Sequence, residues 1–291
     1  GTGSPVPQAA VVREPSTVVF VVDDLNMSAA SLEWAKQSLT TFVRDWRQFH
    51  TRAGLRTTSA SALTFSLYAT PERFAGAIKE LKYNIRSTQG ASSSRTVHNE
   101  TNVTSRLTMR EEEDLVTRSP RALEQFEQRI ASLSATIHTL RAVPGRKAVV
   151  FISEGLTLGM RERDRIDIDA PLLSFYDDSD IEGALRSLAE VANRASVVLY
   201  TVDPRGLTVH DPSAIDGANI DQVSDVTRGR RLARLENQRT LQQIAEQTGG
   251  LSTVNTNRLE SGLVAVLRDQ GSYYLIGFEP PGKTFAKSSG K

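Results

Sequence analysis

The segment Asp24-Leu25-Asn26-Met27-Ser28 places a carboxylate, an amide carbonyl and a hydroxyl at alternate positions of one short stretch. On a tight loop these three oxygens can converge on a point, and an all-oxygen set suits a hard divalent ion: Mg²⁺, Ca²⁺ or Mn²⁺. Glu154, in Ser153-Glu154-Gly155, offers a second carboxylate, directly or through water. A cage of this kind with open positions would accept a carboxylate from a partner. The same residues have another use. Asn26 or Ser28 can cap a following helix, and Asp24 can accept backbone N–H groups in the loop. Residue types and spacing leave both readings open. Asp203-Pro204 is a third acidic segment of the same sort.

All three segments follow apolar runs that read as strands. Thr17–Val22, Lys147–Ile152 and Ser196–Val202 are rich in β-branched residues and too continuous in apolar character for a strand with one wet face. They predict central strands of a parallel sheet. Shorter strands are expected near 53–57, 62–67 and 251–254, with a last one over Ser272–Phe278. Between them, apolar residues recur at helical spacing. Leu32, Ala35, Leu39, Phe42, Val43 and Trp46 mark a helix from about 30 to 49, with Trp46 and Phe49 as core anchors. Pro71 opens a helix carrying Phe74, Ile78 and Leu81. Leu123, Phe126, Ile130, Leu133, Ile137 and Leu140 mark one from about 121 to 141, stopped by Pro144-Gly145. Further helices are expected over 181–194, before Thr248 with Gly249-Gly250 as its left-handed cap, and over 259–267. Alternating strands and helices predict an α/β three-layer sandwich: a mostly parallel Rossmann-like sheet of about six strands with helices on both faces. Ligands of such folds bind beyond the carboxyl ends of the strands, where the three acidic segments fall. Three polar stretches, Ser87–Thr117, Leu156–Asp178 and Leu207–Gly229, read as insertions able to build a surface, the first of them partly helical.

The strand-end pattern resembles the Asp-x-Ser-x-Ser motif of the metal-ion-dependent adhesion site of von Willebrand factor A (VWFA) domains, with Asn26 in place of the middle serine. Pro144-Gly145-Arg146-Lys147-Ala148-Val149-Val150-Phe151-Ile152-Ser153-Glu154-Gly155, Asn193–Asp203, Thr248-Gly249-Gly250 and Gly271–Pro280 are similar, in that order, to the VWFA-related domains abundant in acidobacterial genomes. The resemblance covers about 17–281, leaving 1–16 as a linker or cloning scar and 282–291 as a tail or the start of another strand. It implies a six-stranded sheet, usually of order 3-2-1-4-5-6, protein or matrix binding through a divalent ion, and a secreted, periplasmic or envelope-associated location. It carries Asp24 and Ser28 over directly and Asn26 as a substitute. Glu154 stands where the family often has the aspartate of Ser-Asp-Gly. The family's threonine ligand has Thr117 as its nearest candidate.

Composition narrows the alternatives. The chain of 291 residues has 35 basic and 34 acidic side chains, a balance that argues against a nucleic-acid partner for the whole domain. The cluster Arg228, Arg230, Arg231 and Arg234 reads either as a solvated helix start or as a docking patch for an anionic partner. There is no cysteine, hence no disulfide or thiolate chemistry, and no apolar run long enough to span a membrane. An enzyme is the lesser reading. Asp23 or Asp24 could serve a Mg²⁺-dependent hydrolase or phosphotransferase; of the cations such chemistry wants, Arg205 and Lys147 exist, but Lys147 stands at the wrong end of its strand. No glycine-rich fingerprint follows the first strand, no Gly-x-Ser-x-Gly occurs, and His50, His98, His138 and His210 form no ligand pair. The expectation is therefore a non-enzymatic protein-binding module, with a metal-free scaffold working through its insertions as the alternative.

Overall fold

A computed structural model describes residues 15–46, 51–60, 65–84, 104–156, 178–207 and 220–271, without the side chains of 104–122, 178–179, 220–230 and 271. The chain order is β1 (Ser16–Val22), α1 (Ala29–Trp46), β2 (Thr51–Thr57), β3 (Ser66–Tyr68), α2 (Pro71–Glu80), α3 (Thr104–Arg141), β4 (Lys147–Ile152), α4 (Asp178–Arg194), β5 (Val197–Val202), α5 (Ile220–Glu246), β6 (Ser252–Thr253) and α6 (Leu259–Gly271). The sheet runs β3-β2-β1-β4-β5-β6. Among the described strands only the β2–β3 pairing is antiparallel. Successive strands run outward from β1 on one side and from β4 on the other, so the order reverses between these two. The carboxyl ends of β1, β2, β4, β5 and β6 share one edge.

All seven residues of β1 are buried, as the unbroken apolar run requires of a strand covered on both faces. Side chains alternate between two cores. Val18, Phe20 and Val22 meet α1, α2 and α6 on one face. Val19 and Val21 meet α3, α4 and α5 on the other. In the first core, Phe74 packs against Phe20, Phe42, Trp46 and Tyr68, with centroids 5.4–6.3 Å apart. Trp46 also donates its indole N–H to the Thr51 carbonyl at 2.7 Å, which satisfies the polar end of a buried ring.

Two elements differ from expectation. α3 begins at Thr104, well before residue 121. The second half of the polar stretch Ser87–Thr117 is helical, as its reading as a partly helical insertion allows, and rich in the strong helix formers Arg, Leu, Met and Glu; what differs is that it runs through Pro120 into the helix expected from about 121. Likewise α5 begins at Ile220, inside the polar stretch Leu207–Gly229. The final strand Ser272–Phe278, Phe49, His50, His98, His210 and the stretches 85–103, 157–177 and 208–219 lie outside the described residues.

The turn after α5 is as the sequence predicts. Gly249 has φ +75°, and the Gly250 N–H reaches back to the Ala245 carbonyl at 2.9 Å, closing the helix end. The Thr248 hydroxyl accepts the Leu199 N–H at 2.9 Å. A Cβ on Gly250 would lie 1.9 Å from the Leu199 carbonyl oxygen, whereas one on Gly249 meets nothing. Gly249→Ala should therefore cost about 1 kcal/mol from left-handed strain alone. Gly250→Ala should cost about 3 kcal/mol, because backbone must move. Urea unfolding of both variants checks the ranking; equal losses would contradict the close approach.

Candidate functional site

Asp23 and Asp24 leave β1 in succession and turn apart. Asp23 is fully buried where the ends of β1 and β4 meet. Its N–H donates to the Ile152 carbonyl at 2.9 Å. Its Oδ2 accepts the Ser153 hydroxyl at 2.6 Å, and its Oδ1 accepts the Thr58 hydroxyl at 2.9 Å. Arg129, on α3 and 2% exposed, places Nη1 at 3.5 Å from Asp23 Oδ2. The same nitrogen donates to the Gly155 carbonyl at 2.8 Å, and Nε donates to Gln125 one turn earlier at 3.3 Å. The guanidinium lies 5.7 Å from the Phe126 ring centroid. Burial raises the Asp23 pKa, with the Arg129 charge and the two hydroxyl donors opposing it. Burial lowers that of Arg129, with Asp23 opposing. Each charge thus depends on the other in a region without bulk water.

Asp24 faces β2. Its Oδ1 accepts the Ser59 N–H at 2.9 Å and lies 3.0 Å from the Thr58 hydroxyl. Its Oδ2 accepts the Ser59 hydroxyl and, at 3.3 Å, the Asn84 amide. Thr58 has one hydroxyl hydrogen and stands between the two carboxylates, serving either. Asn26 donates its amide to the Gly155 carbonyl at 2.9 Å. Ser28 is the N-cap of α1. Its hydroxyl accepts the Ser31 N–H at 3.2 Å and its carbonyl accepts the Leu32 N–H at 3.0 Å. Glu154 is buried, and its Oε1 accepts the Ser28 N–H at 2.8 Å, a negative charge at the positive end of α1. Thr117 lies within α3, twelve residues before Arg129, or ~18 Å along the axis; its side chain lies outside those described.

The structure therefore brings Asn26, Ser28 and Glu154 together, holds Asp24 on the β2 side, and places Thr117 in α3 twelve residues before Arg129. In this arrangement the groups expected to hold an ion are engaged by the protein itself. Both Asp24 oxygens accept from protein donors, Asn26 directs its NH₂ to Gly155, and Ser28 caps a helix. Among the described residues no group of three or more His, Cys, Asp and Glu is placed to hold a metal ion. The helix-capping and loop-bonding use that the sequence also allowed is the one these contacts realise.

β5 ends the same way. Asp203 is fully buried. Its Oδ1 accepts the Arg205 N–H at 3.0 Å and Nε at 2.9 Å, and its Oδ2 accepts Arg205 Nη2 at 2.9 Å and the Gln238 amide at 3.0 Å. Gln238 and Asn255 exchange amide hydrogen bonds at 2.8 and 3.0 Å. Arg234, on α5, donates to the Gly206 carbonyl.

The residues the sequence reading did not single out are Arg129, Thr58, Ser59, Asn84, Gln238 and Asn255. A signal for Arg129 existed. Gln125, Arg129, Ser132 and Thr136 are all buried and recur at spacings of four, three and four, a polar stripe alongside the apolar one. The helix therefore buries a wider face than its leucines and isoleucines mark.

No family model matches the chain, and no curated protein matches it. Among solved structures, it is similar to the open conformation of the pilus adhesin SpaC from Lactobacillus rhamnosus GG, with TM-score 0.44 and 11% identity over 90% of this chain. The chain spans 30% of that adhesin's length.

Asp24→Ala should strand the Ser59 and Asn84 donors and cost about 2 kcal/mol, and Ser28→Ala about 1 kcal/mol for the lost cap. Denaturant titrations with EDTA and with Mg²⁺ should return the same two losses. A loss that appears only with Mg²⁺ would contradict the reading that the protein's own donors occupy these oxygens.

Proposed function

We propose that the chain is a non-enzymatic protein-binding module of the VWFA type that engages its partner without a divalent ion. The observation that carries this reading is that Asp23, Asp24, Glu154 and Asp203 all accept hydrogen bonds from the protein's own groups. A hydrolase or phosphotransferase would need one of these carboxylates to hold metal or attack substrate. The strand order β3-β2-β1-β4-β5-β6 agrees with the module type. Two surface cavities lie between helices. One, about 450 Å³, is lined by α1 and α2, including Lys36 and Lys79. The other, about 290 Å³, lies between the last turns of α3 and α4.

Support for a protein partner comes from the surface beside β5. Leu207 follows that strand end, and Leu232 and Leu235 lie one turn apart on α5; they are 61%, 51% and 52% exposed. Arg234 joins the two segments through Gly206, and Arg231 is exposed beside the leucines. Exposed apolar side chains rimmed by arginine have the character of a docking surface. A secreted or envelope-associated setting belongs to the same proposal. No described helix is long and apolar enough to cross a membrane.

The test is calorimetric titration of metal-stripped protein with Mg²⁺, Ca²⁺ and Mn²⁺, alongside Asp24→Ala. No saturable heat up to millimolar ion is expected for either protein. Binding of one ion per chain, abolished in Asp24→Ala, would overturn the metal-free reading and restore the adhesion-site one.

A further inference from the structure

We propose that the Arg129 guanidinium is the resident cation of the strand-end site, and that removing it opens a site for a small external guanidinium-type cation. The case rests on where this group sits and what it touches. It enters from α3, reaches the meeting point of β1 and β4, and contacts Asp23 and Gly155. Asp23 belongs to the loop after β1 and Gly155 to the loop after β4. The Gly155 carbonyl also accepts the Asn26 amide, so the same oxygen ties the β1 loop to the β4 loop. Gly155 holds φ +138°, a conformation that suits glycine, and a Cβ there would lie 2.1 Å from Asn237 Oδ1. The Asn237 side chain, on α5, thus packs where a Gly155 Cβ would stand, beside the carbonyl that receives Arg129.

One cationic side chain thus performs what a metal performs in an oxygen cage. It neutralises a buried carboxylate and binds a carbonyl on a second loop. Asp23 is 0% exposed and Arg129 2%. Truncating the arginine would leave a carboxylate without its counter-charge and a space of guanidinium shape, lined by Asp23, the Gly155 carbonyl and the Phe126 ring. A planar cation can make the same paired contacts. The proposal is independent of the protein-binding role, since a metal-free module could in principle hold its loops by hydrogen bonds alone.

The experiment compares thermal midpoints of wild type, Arg129→Ala and Phe74→Ala, the last as a destabilised control without a missing charge. Arg129→Ala should fall by roughly 10 °C. Methylguanidinium chloride at about 10 mM should recover at least half of that loss in Arg129→Ala and none in Phe74→Ala. Should Arg129→Ala fail to fold, the double variant Asp23→Asn/Arg129→Met gives the answer. It should melt within a few degrees of wild type and above both single variants, because both charges leave together. The proposal is overturned if Arg129→Ala keeps the wild-type midpoint, if methylguanidinium raises both destabilised variants equally or neither, or if the double variant loses as much as the two singles combined.

Discussion

A carboxylate buried at the end of a parallel strand must be given donors, and this requirement organises the carboxyl edge of the sheet. Asp23 places a carboxyl group out of reach of bulk water, where an isolated carboxylate would cost several kcal/mol. Arg129, Ser153 and Thr58 meet that carboxylate from α3 and from the residues that follow β4 and β2. Three separate elements are thus fixed in relation to β1 by one side chain. Position matters as much as charge. Gly155 has to present its carbonyl, so it adopts a backbone angle that excludes a Cβ, and Asn26 then docks on the same oxygen. The loops on this edge are held by polar contacts whose partners come from distant parts of the chain.

β1, β4 and β5 each close on an acidic residue, but the solution differs at each. Asp23 is met from α3, Asp203 by an arginine two residues along its own loop, and Glu154 by the first turn of α1. The differences follow from reach. A glutamate is one methylene longer than an aspartate, and Glu154 reaches the Ser28 N–H. In this way the helix start that the Asp-x-Asn-x-Ser stretch precedes is itself a ligand for the acid of the next loop.

The buried strands were legible because their β-branched runs allow only a covered sheet position, and α1 because Leu32, Ala35, Leu39, Phe42 and Trp46 keep helical spacing. The Gly249 cap was legible because only a left-handed turn explains paired glycines after an apolar stripe. The full length of α3 was not, since residues 104–120 carry no apolar periodicity and Pro120 marks an ordinary boundary. The capping role of Ser28 and the backbone-accepting role of Asp24 were legible as one of two alternatives, and the loop alone could not choose between them. The choice rests on Thr58, Ser59, Asn84 and Arg129, which only the folded topology brings near. Local spacing reports which oxygens can converge; it does not report a distant arginine already paired at the same edge.

The most direct test of this account is a crystal structure of the protein grown with excess Mn²⁺, with anomalous data collected at the carboxyl edge of β1 and β4. The account predicts Arg129 against Asp23 and the Gly155 carbonyl, with no anomalous peak among Asp24, Asn26, Ser28 and Glu154. A manganese peak bridging Asp24 and Glu154, with Asp24 released from Ser59, would contradict it.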